Sequence, residues 1–446
     1  MTEVFRHQGT VGREDRKGYR LHRFVVPSGA EALEIAFSYD RGGELPHSLL
    51  TLSLFDPRGF RGAGHRFAPR QTIRLEPRQA TPGFLAGPLP AGEWTVEVDV
   101  HCVIPRPDGE PNRYELVVST EAAEGGVAVV AGPAAASDDT PIVRGRRWYR
   151  GELHLHSRHS DGQWTPAEIA ERARPRDLDF MVLSDHNTTS SYHEFRSLVA
   201  PRTLVIPGTE LTTYHGHCLA IGVERWIDWR TGLDGRSIND VARDVRAAGG
   251  LLFIAHPDAM PDDVCTGCRW THDDFDPALA SGVEIWGGLW DGPEEENEGC
   301  VALWRHWLGL GHRLTATAAT DAHKPKDWEG AVPLTYVLAE ELSRAAILDG
   351  LRAGRTYVSS GPELYLEATA GGVEVRCAAA PAAELRIVGD RGRLASARVR
   401  GEGKLSASAP FAWAYAELWN EGGDLMLAAT SPVYARDLDS SSAQRA

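Results

Sequence analysis

Three histidines and an aspartate crowd one short stretch, Glu152-Leu-His-Leu-His-Ser-Arg-His-Ser-Asp161-Gly162. His154 and His156 alternate with Leu153 and Leu155, so on a strand both imidazoles point to one side. Paired imidazoles at a strand end are the usual raw material of a transition-metal site. Asp161 follows on the loop, with Gly162 expected to let the backbone turn. One helix later, Phe180-Met-Val-Leu-Ser-Asp185-His186 ends an apolar run in two more polar groups. Thr203-Leu-Val-Ile-Pro-Gly-Thr-Glu210, Leu251-Leu-Phe-Ile-Ala-His256 and Leu314-Thr-Ala-Thr-Ala-Ala-Thr-Asp321-Ala-His323 end the same way, and His217 heads a further strand after Gly216. Mixed imidazole and carboxylate ligands suit Zn²⁺, Mn²⁺ or Fe²⁺. A carboxylate between two such cations neutralises their repulsion and sets a separation of roughly 3.5–4 Å, over which one hydroxide bridges them. Coordination lowers the pKa of water from 15.7 to about 7, which makes a nucleophile at neutral pH.

These groups need elements to hold them. Thr165-Pro166-Ala-Glu168 reads as a helix start, with Thr165 as N-cap, Pro166 at the first position and Glu168 closing a capping box. That helix is expected to run to about Arg174. Ser237 to Gly249 reads as a second capped helix, and Val301 to Gly309 and Glu341 to Ala353 as two more. Strand-then-helix units with His, Glu or Asp at the strand ends predict an α/β domain built as a (β/α) barrel, with its chemistry at the carboxyl edge of the strands.

The flanks differ. Residues 1–120 carry short, partly alternating runs (Phe24-Val-Val, Leu33 to Tyr39, Leu49 to Phe55, Thr72 to Leu75, Trp94 to Val100, Tyr114 to Val118) separated by turn residues, which predicts an antiparallel β-sandwich. Leu89-Pro-Ala-Gly-Glu-Trp-Thr-Val resembles the closing hairpin of jelly-roll modules. The Ala/Gly-rich segment 121–146 reads as a linker, 147–356 as the barrel, and 357–436 as a small C-terminal β domain with strands at Glu363 to Ala368, Val373 to Cys377, Glu384 to Val388, Trp413 to Trp419 and Leu425 to Ala428. Residues 437–446 read as a disordered tail.

With 47 Lys+Arg against 62 Asp+Glu over 446 residues, the net charge is −15, which argues against a nucleic-acid scaffold. The start shows no apolar segment behind basic residues, and no run approaches a membrane span, so a cytoplasmic protein acting on a small molecule is expected. Oligomeric state is not readable. Of the six cysteines only Cys265-Thr-Gly-Cys268 has suggestive spacing. No second pair lies nearby to complete a zinc site, so these two read as loop cysteines. Pro293-Glu-Glu-Glu-Asn-Glu reads as a solvated acidic loop.

The ordered motifs His154-Leu-His156, Ser160-Asp161-Gly, Ser184-Asp185-His186-Asn187, Gly208-Thr-Glu210, Gly216-His217, Ala255-His256-Pro257 and Thr320-Asp321-Ala-His323 resemble those of the PHP (polymerase and histidinol phosphatase) metallohydrolases. The Gly-His217 strand and the flanking β modules resemble the CehA/McbA-type branch. The motifs cover about 151–330. This resemblance implies a distorted (β/α)7 barrel holding two or three divalent ions. His154, His156, Glu210 and Asp321 would bind one; Glu210 would bridge to a second held also by His217 and His256. Asp161, His186 and His323 would line a third, although many family members have a histidine where Asp161 stands. Asp321, His323 and Asp185 are the residues expected to serve catalysis.

Other residues carry less. Asp185 either orients a ligand or caps a strand end, Glu284 either faces the site or pairs with a base, and Lys324 and Lys326 either touch a phosphate or are simply solvated. His7, His22, His47, His65 and His101 read as structural or surface; His159, His193, His215, His272, His306 and His312 receive no role. The expected activity is phosphoester hydrolysis on a small organic phosphate by a metal-bridging hydroxide. The alternative keeps the metals but cleaves a carboxylic ester or carbamate, for which Trp164, Trp286, Trp290 and Trp328 would form an aromatic lining; the commoner reading of such tryptophans is packing under loops. A third reading is a binding protein without catalysis.

Overall fold

Four antiparallel strands in the order Thr2–Val11, Asn112–Ala122, Ala30–Tyr39 and Arg70–Leu75 form the first sheet of the N-terminal region. Gly18–Val26, Gly92–Cys102, Leu49–Asp56 and Gly59–Gly64 form the second. The sheets face each other because alternate residues on each are apolar: Leu33, Ile35, Leu116 and Val118 from one pack with Leu52, Leu54, Val96 and Val98 from the other. Thr2–Val11 and Gly59–Gly64 were not expected as strands; the first carries the unbroken polar run Arg6-His7-Gln8-Gly9-Thr10, and the second is mostly glycine and arginine.

The coordinates are a computed structural model that describes residues 1–43, 47–122, 140–199, 201–260, 267–292 and 297–438. Most of the linker read at 121–146, the 293–296 acidic stretch, Cys265 and the tail from 439 lie outside the described residues.

The remaining strands join in one sheet of 15. Val143–Glu152, Phe180–Leu183 and Leu204–Thr213 run parallel, and so do Leu251–Ile254, Gly282–Gly287 and Thr315–Ala319. Gly216–Ile221 lies antiparallel between the two triplets. Only Tyr214 and His215 connect it to the strand before, so the strand-then-helix alternation read from sequence is interrupted by a hairpin here. The sheet curls back on itself: Leu155 bridges Ala322, and the His156 amide donates to the Ala322 carbonyl at 3.1 Å. That contact brings the ends of the first and last of these parallel strands together.

Short amphipathic helices cover the outside. Pro166–Ala173 buries Ile169, Ala170 and Ala173 against Met181, Leu183 and Val205. Its capping box is as expected, with Glu168 N donating to Thr165 Oγ1 at 3.2 Å and Thr165 N to Glu168 Oε2 at 2.7 Å. Ile238–Ala247 buries Val241 and Val245 against Leu252 and Ile254. The helix expected from Val301 begins at Asn297, and the one expected from Glu341 begins at Arg344. Glu341 and Leu342 instead finish the Leu334–Leu342 strand, and Ser343 caps the helix through Ala346 N at 3.2 Å. A further helix, Tyr192–Leu198, was not expected.

Strands beyond Thr356 extend the same sheet, starting with Thr356–Ser359 paired to Met426–Thr430. The two strands expected at Val373–Cys377 and Glu384–Val388 are one bulged strand, Gly372–Gly389, and its hairpin partner Gly392–Ser408 was not foreseen. The partner's outward positions are exposed and its sequence rich in Gly, Ser and Arg, so no apolar alternation betrays it. Among the described residues no helix is long and apolar enough to cross a membrane.

Candidate metal centre

All the motif residues arrive at one edge of the curled sheet. His154 and His156 follow the end of Val143–Glu152, Asp185 and His186 follow Phe180–Leu183, His256 follows Leu251–Ile254, and Asp321 and His323 follow Thr315–Ala319. Glu210 lies inside Leu204–Thr213, paired by a single bridge to His186, and His217 heads the antiparallel strand at the same edge. Carboxyl ends of parallel strands leave backbone and side chains free to converge there.

Glu210 is the centre. Its Oε2 lies 3.2 Å from His154 Nε2, 3.2 Å from His156 Nε2 and 2.9 Å from His186 Nδ1. Its Oε1 lies 3.1 Å from His217 Nδ1 and 3.1 Å from His256 Nε2. Asp321 Oδ1 adds a second carboxylate, 2.9 Å from His156 Nε2 and 3.2 Å from His154 Nε2. On the far side of His156 and His186, Asp161 Oδ1 lies 3.3 Å from His323 Nε2 and 3.5 Å from His186 Nε2. Three ligand groups result, each with its donor atoms within 4.8 Å of one another: His154, His156, Glu210 and Asp321; His186, Glu210 and His217; and His156, Asp161, His186 and His323.

These residues fit divalent cations for a specific reason. His154 Nε2, His156 Nε2, Asp161 Oδ1, Glu210 Oε2, His217 Nε2 and Asp321 Oδ1 are all buried, yet none makes a hydrogen bond. Buried polar atoms are costly when left without a partner. Several such atoms aimed at shared points, as imidazole nitrogens and carboxylate oxygens, form the donor set of a transition-metal site.

The outer nitrogens show how the rings are turned. His154 Nδ1 meets Glu284 Oε2 at 3.1 Å, His256 Nδ1 meets the Cys268 carbonyl at 3.3 Å, and His323 Nδ1 meets the Asp321 carbonyl at 2.8 Å. Carboxylates and carbonyls accept, so each Nδ1 carries a hydrogen, and in the neutral ring Nε2 is the nitrogen that would offer a lone pair to a cation. Glu284 therefore faces the site and orients a ligand; it does not pair with a basic side chain. Cys268, read from sequence as a loop cysteine, is disulfide-bonded.

Electrostatics follow from this packing. Burial disfavours the Glu210 charge, but His186, His154 and His217 overcome it and hold the carboxyl well below its usual range. Asp161 is held low in the same way by His186 and His323. Burial opposes protonation of His323, yet Asp161 and Asp321 raise it to about 9. His217, dominated by burial, falls to about 4.

Two carboxylates serve the site without joining it. Asp185, expected as a catalytic group, accepts from Ser157 N at 2.7 Å and from the hydroxyls of Ser157, Ser160 and Ser191 at 2.8, 2.8 and 2.6 Å. It ties down the loop between His156 and Asp161. Glu152, which carried no expectation, accepts from Thr320 Oγ1 at 2.9 Å, Trp328 Nε1 at 3.2 Å and the amides of Leu153 and His154 at 3.0 and 3.2 Å. Burial pushes it up to about 7 against those bonds. It joins the strand end carrying His154 to the one carrying Asp321, and its partners lie so far along the chain that no local pattern announces it.

Of the two readings of Trp164, Trp286, Trp290 and Trp328, packing is the one the structure bears out; all are buried, Trp164 against Trp328 and Trp286 against Trp290 in edge-on pairs with centroids 5.5 and 5.3 Å apart. His65 and His101, read as structural or surface, reach the centre from the N-terminal region. The His65 ring lies 4.5 Å from His186 and 4.8 Å from His101, which lies 5.2 Å from Tyr214. Of the lysines, Lys324 sits 3.6 Å from Asp327.

No family model matches the chain. It is 33% identical over 78 residues to a 3',5'-nucleoside bisphosphate phosphatase of Chromobacterium violaceum, a match covering 16% of this chain and 27% of that protein. It is 29% identical over 116 residues to an uncharacterized protein of Methanocaldococcus jannaschii, covering 26% of this chain and 49% of the other. The chain thus spans about a quarter and about half of the lengths of these curated relatives. Among solved structures it is similar to a two-domain protein of Bacteroides vulgatus containing a predicted PHP-like metal-dependent phosphoesterase, with TM-score 0.42, 18% identity, and coverage of 68% of this chain and 100% of that one.

Proposed function

We propose that this chain is a metal-dependent phosphoesterase of the PHP type, in its CehA/McbA-like branch, hydrolysing a small organic phosphate in the cytoplasm. In this reading residues 147–356 are the catalytic, distorted (β/α)7 barrel, 1–120 an N-terminal β-sandwich and 357–436 a C-terminal β domain. The observation that carries the proposal is the Glu210 carboxylate, with three imidazole nitrogens around one oxygen and two around the other. A carboxylate whose two oxygens face separate imidazole sets could serve two divalent ions at once.

Bound divalent ions supply Lewis acidity there, lowering the pKa of water from 15.7 to about 7 and stabilising charge on phosphoryl oxygens. His154, His156, Glu210 and Asp321 would hold one ion, Glu210, His217 and His256 a second, and Asp161, His186 and His323 a third. Asp321 and His323 are the most open of these side chains, 17% and 30% exposed where the others are 6% or less. They stand at the mouth, the part of the cluster that an entering phosphate would meet first. Burial of the four tryptophans removes the main support for an aryl carbamate, and the 33%-identical relative is a phosphatase.

The test is a pair of initial rates on Mn²⁺-loaded protein, one with an aryl phosphate and one with an aryl ester or carbamate, using Glu210→Ala as blank. Phosphate turnover that vanishes in the variant, with unchanged circular dichroism, is expected. Turnover of the carbon ester alone would move the chain to the carbamate hydrolases, and full activity in Glu210→Ala would remove the binuclear assignment.

A further inference from the structure

The N-terminal region does more at this site than cover it. His65 is followed by Arg66, whose half-buried guanidinium crosses to the catalytic side: Nη2 donates to the Arg158 carbonyl at 3.1 Å and also to the Pro82 carbonyl. Arg158 lies on the loop between His156 and Asp161. Both anchors are carbonyls, which fix the guanidinium plane without neutralising its charge. Among the described residues Arg66 forms no ion pair, although the chain has 62 acidic residues for 47 basic ones. Nearby Arg61 shows the contrast, since it pairs with Asp56 at 2.9 Å and donates to Pro88 and Leu85 carbonyls, a wholly internal role.

The loop behind Arg66 is clamped to the same face. Gly83 N donates to His159 Nδ1 at 3.2 Å, and Thr188 Oγ1 donates to the Gly83 carbonyl at 2.8 Å. Gly83 has φ +92°, and a Cβ there would lie 2.6 Å from the His159 carbonyl and 3.3 Å from Arg66 Nη2. Only glycine fits between the two regions at that point. The Arg66 charge is consequently held at a fixed place beside the ligand groups, within the electrostatic reach of Asp185 and Asp161. With Nη2 spent on the two carbonyls, Nη1 and Nε donate to no described residue, and a guanidinium fixed beside a cation centre gives a phosphate oxygen a charge-assisted hydrogen bond from one of them.

We propose that Arg66, supplied by the N-terminal β region, binds the phosphate group of the substrate at the edge of the metal centre, so that this region is part of the active site. The inference rests on the phosphoesterase reading above. It is tested with Mn²⁺-loaded wild type, Arg66→Ala and Arg66→Lys, reading kcat, KM for an aryl phosphate, inhibition by inorganic phosphate, and bound metal. Arg66→Ala is expected to raise KM and the phosphate inhibition constant on the order of 10–100-fold, with metal content unchanged. Arg66→Lys should recover part of that loss. Unchanged KM and phosphate inhibition in an active Arg66→Ala would overturn the inference alone. Loss of metal in Arg66→Ala that Arg66→Lys does not restore would assign a structural role and overturn it too. A wild type that turns over no phosphate ester would instead bring down the phosphoesterase reading and this inference with it.

Discussion

Five imidazoles around Glu210 are held there by groups that never touch the centre. Glu284 is the clearest: both strands that matter meet at it, with His154 Nδ1 at 3.1 Å from one oxygen and His256 N at 3.4 Å from the other. Removing such an acceptor costs typically about 10–100-fold in metal affinity. Glu284→Ala is expected to weaken Mn²⁺ or Zn²⁺ binding by about that factor, read by competition with a chromophoric chelator, while the chain stays folded. Equal affinities would show that His154 keeps its orientation unaided. Two residues of the cluster also sit in backbone conformations that non-glycine residues rarely take, His256 at φ +26° and Asp321 at φ +48°. Strain of this kind persists only where the surroundings over-determine it, and both lie in the first bends past their strands.

Elements deliver these residues, and the spacing of a loop matters as much as its ligands. Gly162 was expected for its freedom to turn, but its conformation lies outside the left-handed region; what it supplies is room. A Cβ there would stand 2.4 Å from the His156 carbonyl oxygen. Since Gly162 N donates to the Ser157 carbonyl at 3.0 Å, the loop cannot slide away freely. Gly162→Ala is expected to destabilise by about 1–3 kcal/mol, the usual cost of overpacking, in urea unfolding of the metal-free protein. A variant as stable as wild type would mean that the loop yields. The capped helix at Thr165 was legible because its signals are local in sequence. The Gly392–Ser408 strand was not, because an exposed hairpin edge buries too little to impose a pattern.

At the scale of the molecule, the Gly92–Cys102 strand of the second N-terminal sheet is buried on both faces between Val96 and His101. Along Gly92–Cys102, Val96, Val98 and Val100 face the inner core, while Glu97, Asp99 and His101 are buried on the other face toward the catalytic region. Arg230 meets Glu97 there at 3.0 Å, Tyr214 donates to the Gly18 carbonyl at 3.0 Å, and Phe60 stacks on Trp226 with centroids 5.2 Å apart. Burial lowers His101 to about 3, with His217 and His186 adding to the effect. A folded pKa below the unfolded value of about 6.5 gives stability that is complete above pH 6.5 and is lost as pH falls toward 3. Asp99, pushed up by burial and by Glu97, contributes with the opposite sign, so the test must be a difference. The stability of wild type relative to His101→Gln is expected to fall between pH 6.5 and 4, followed by calorimetry. A constant difference across that range would show that His101 does not set the acid sensitivity of this interface.

The sequence by itself determined which imidazoles and carboxylates stand at the strand ends and in what order. Those follow from alternation, apolar runs and caps, all of which act over a few residues. Only the tertiary structure decided that Glu284 and Glu152 serve the centre, that the four tryptophans are packing, and that His65 and Arg66 reach across from another region. Each of those depends on partners roughly 90 to 180 positions away or on which face of a sheet finds a second layer. Such contacts are set by how whole sheets pack, and burial on both faces of a strand leaves no periodic trace that separates a covered polar residue from a solvated one.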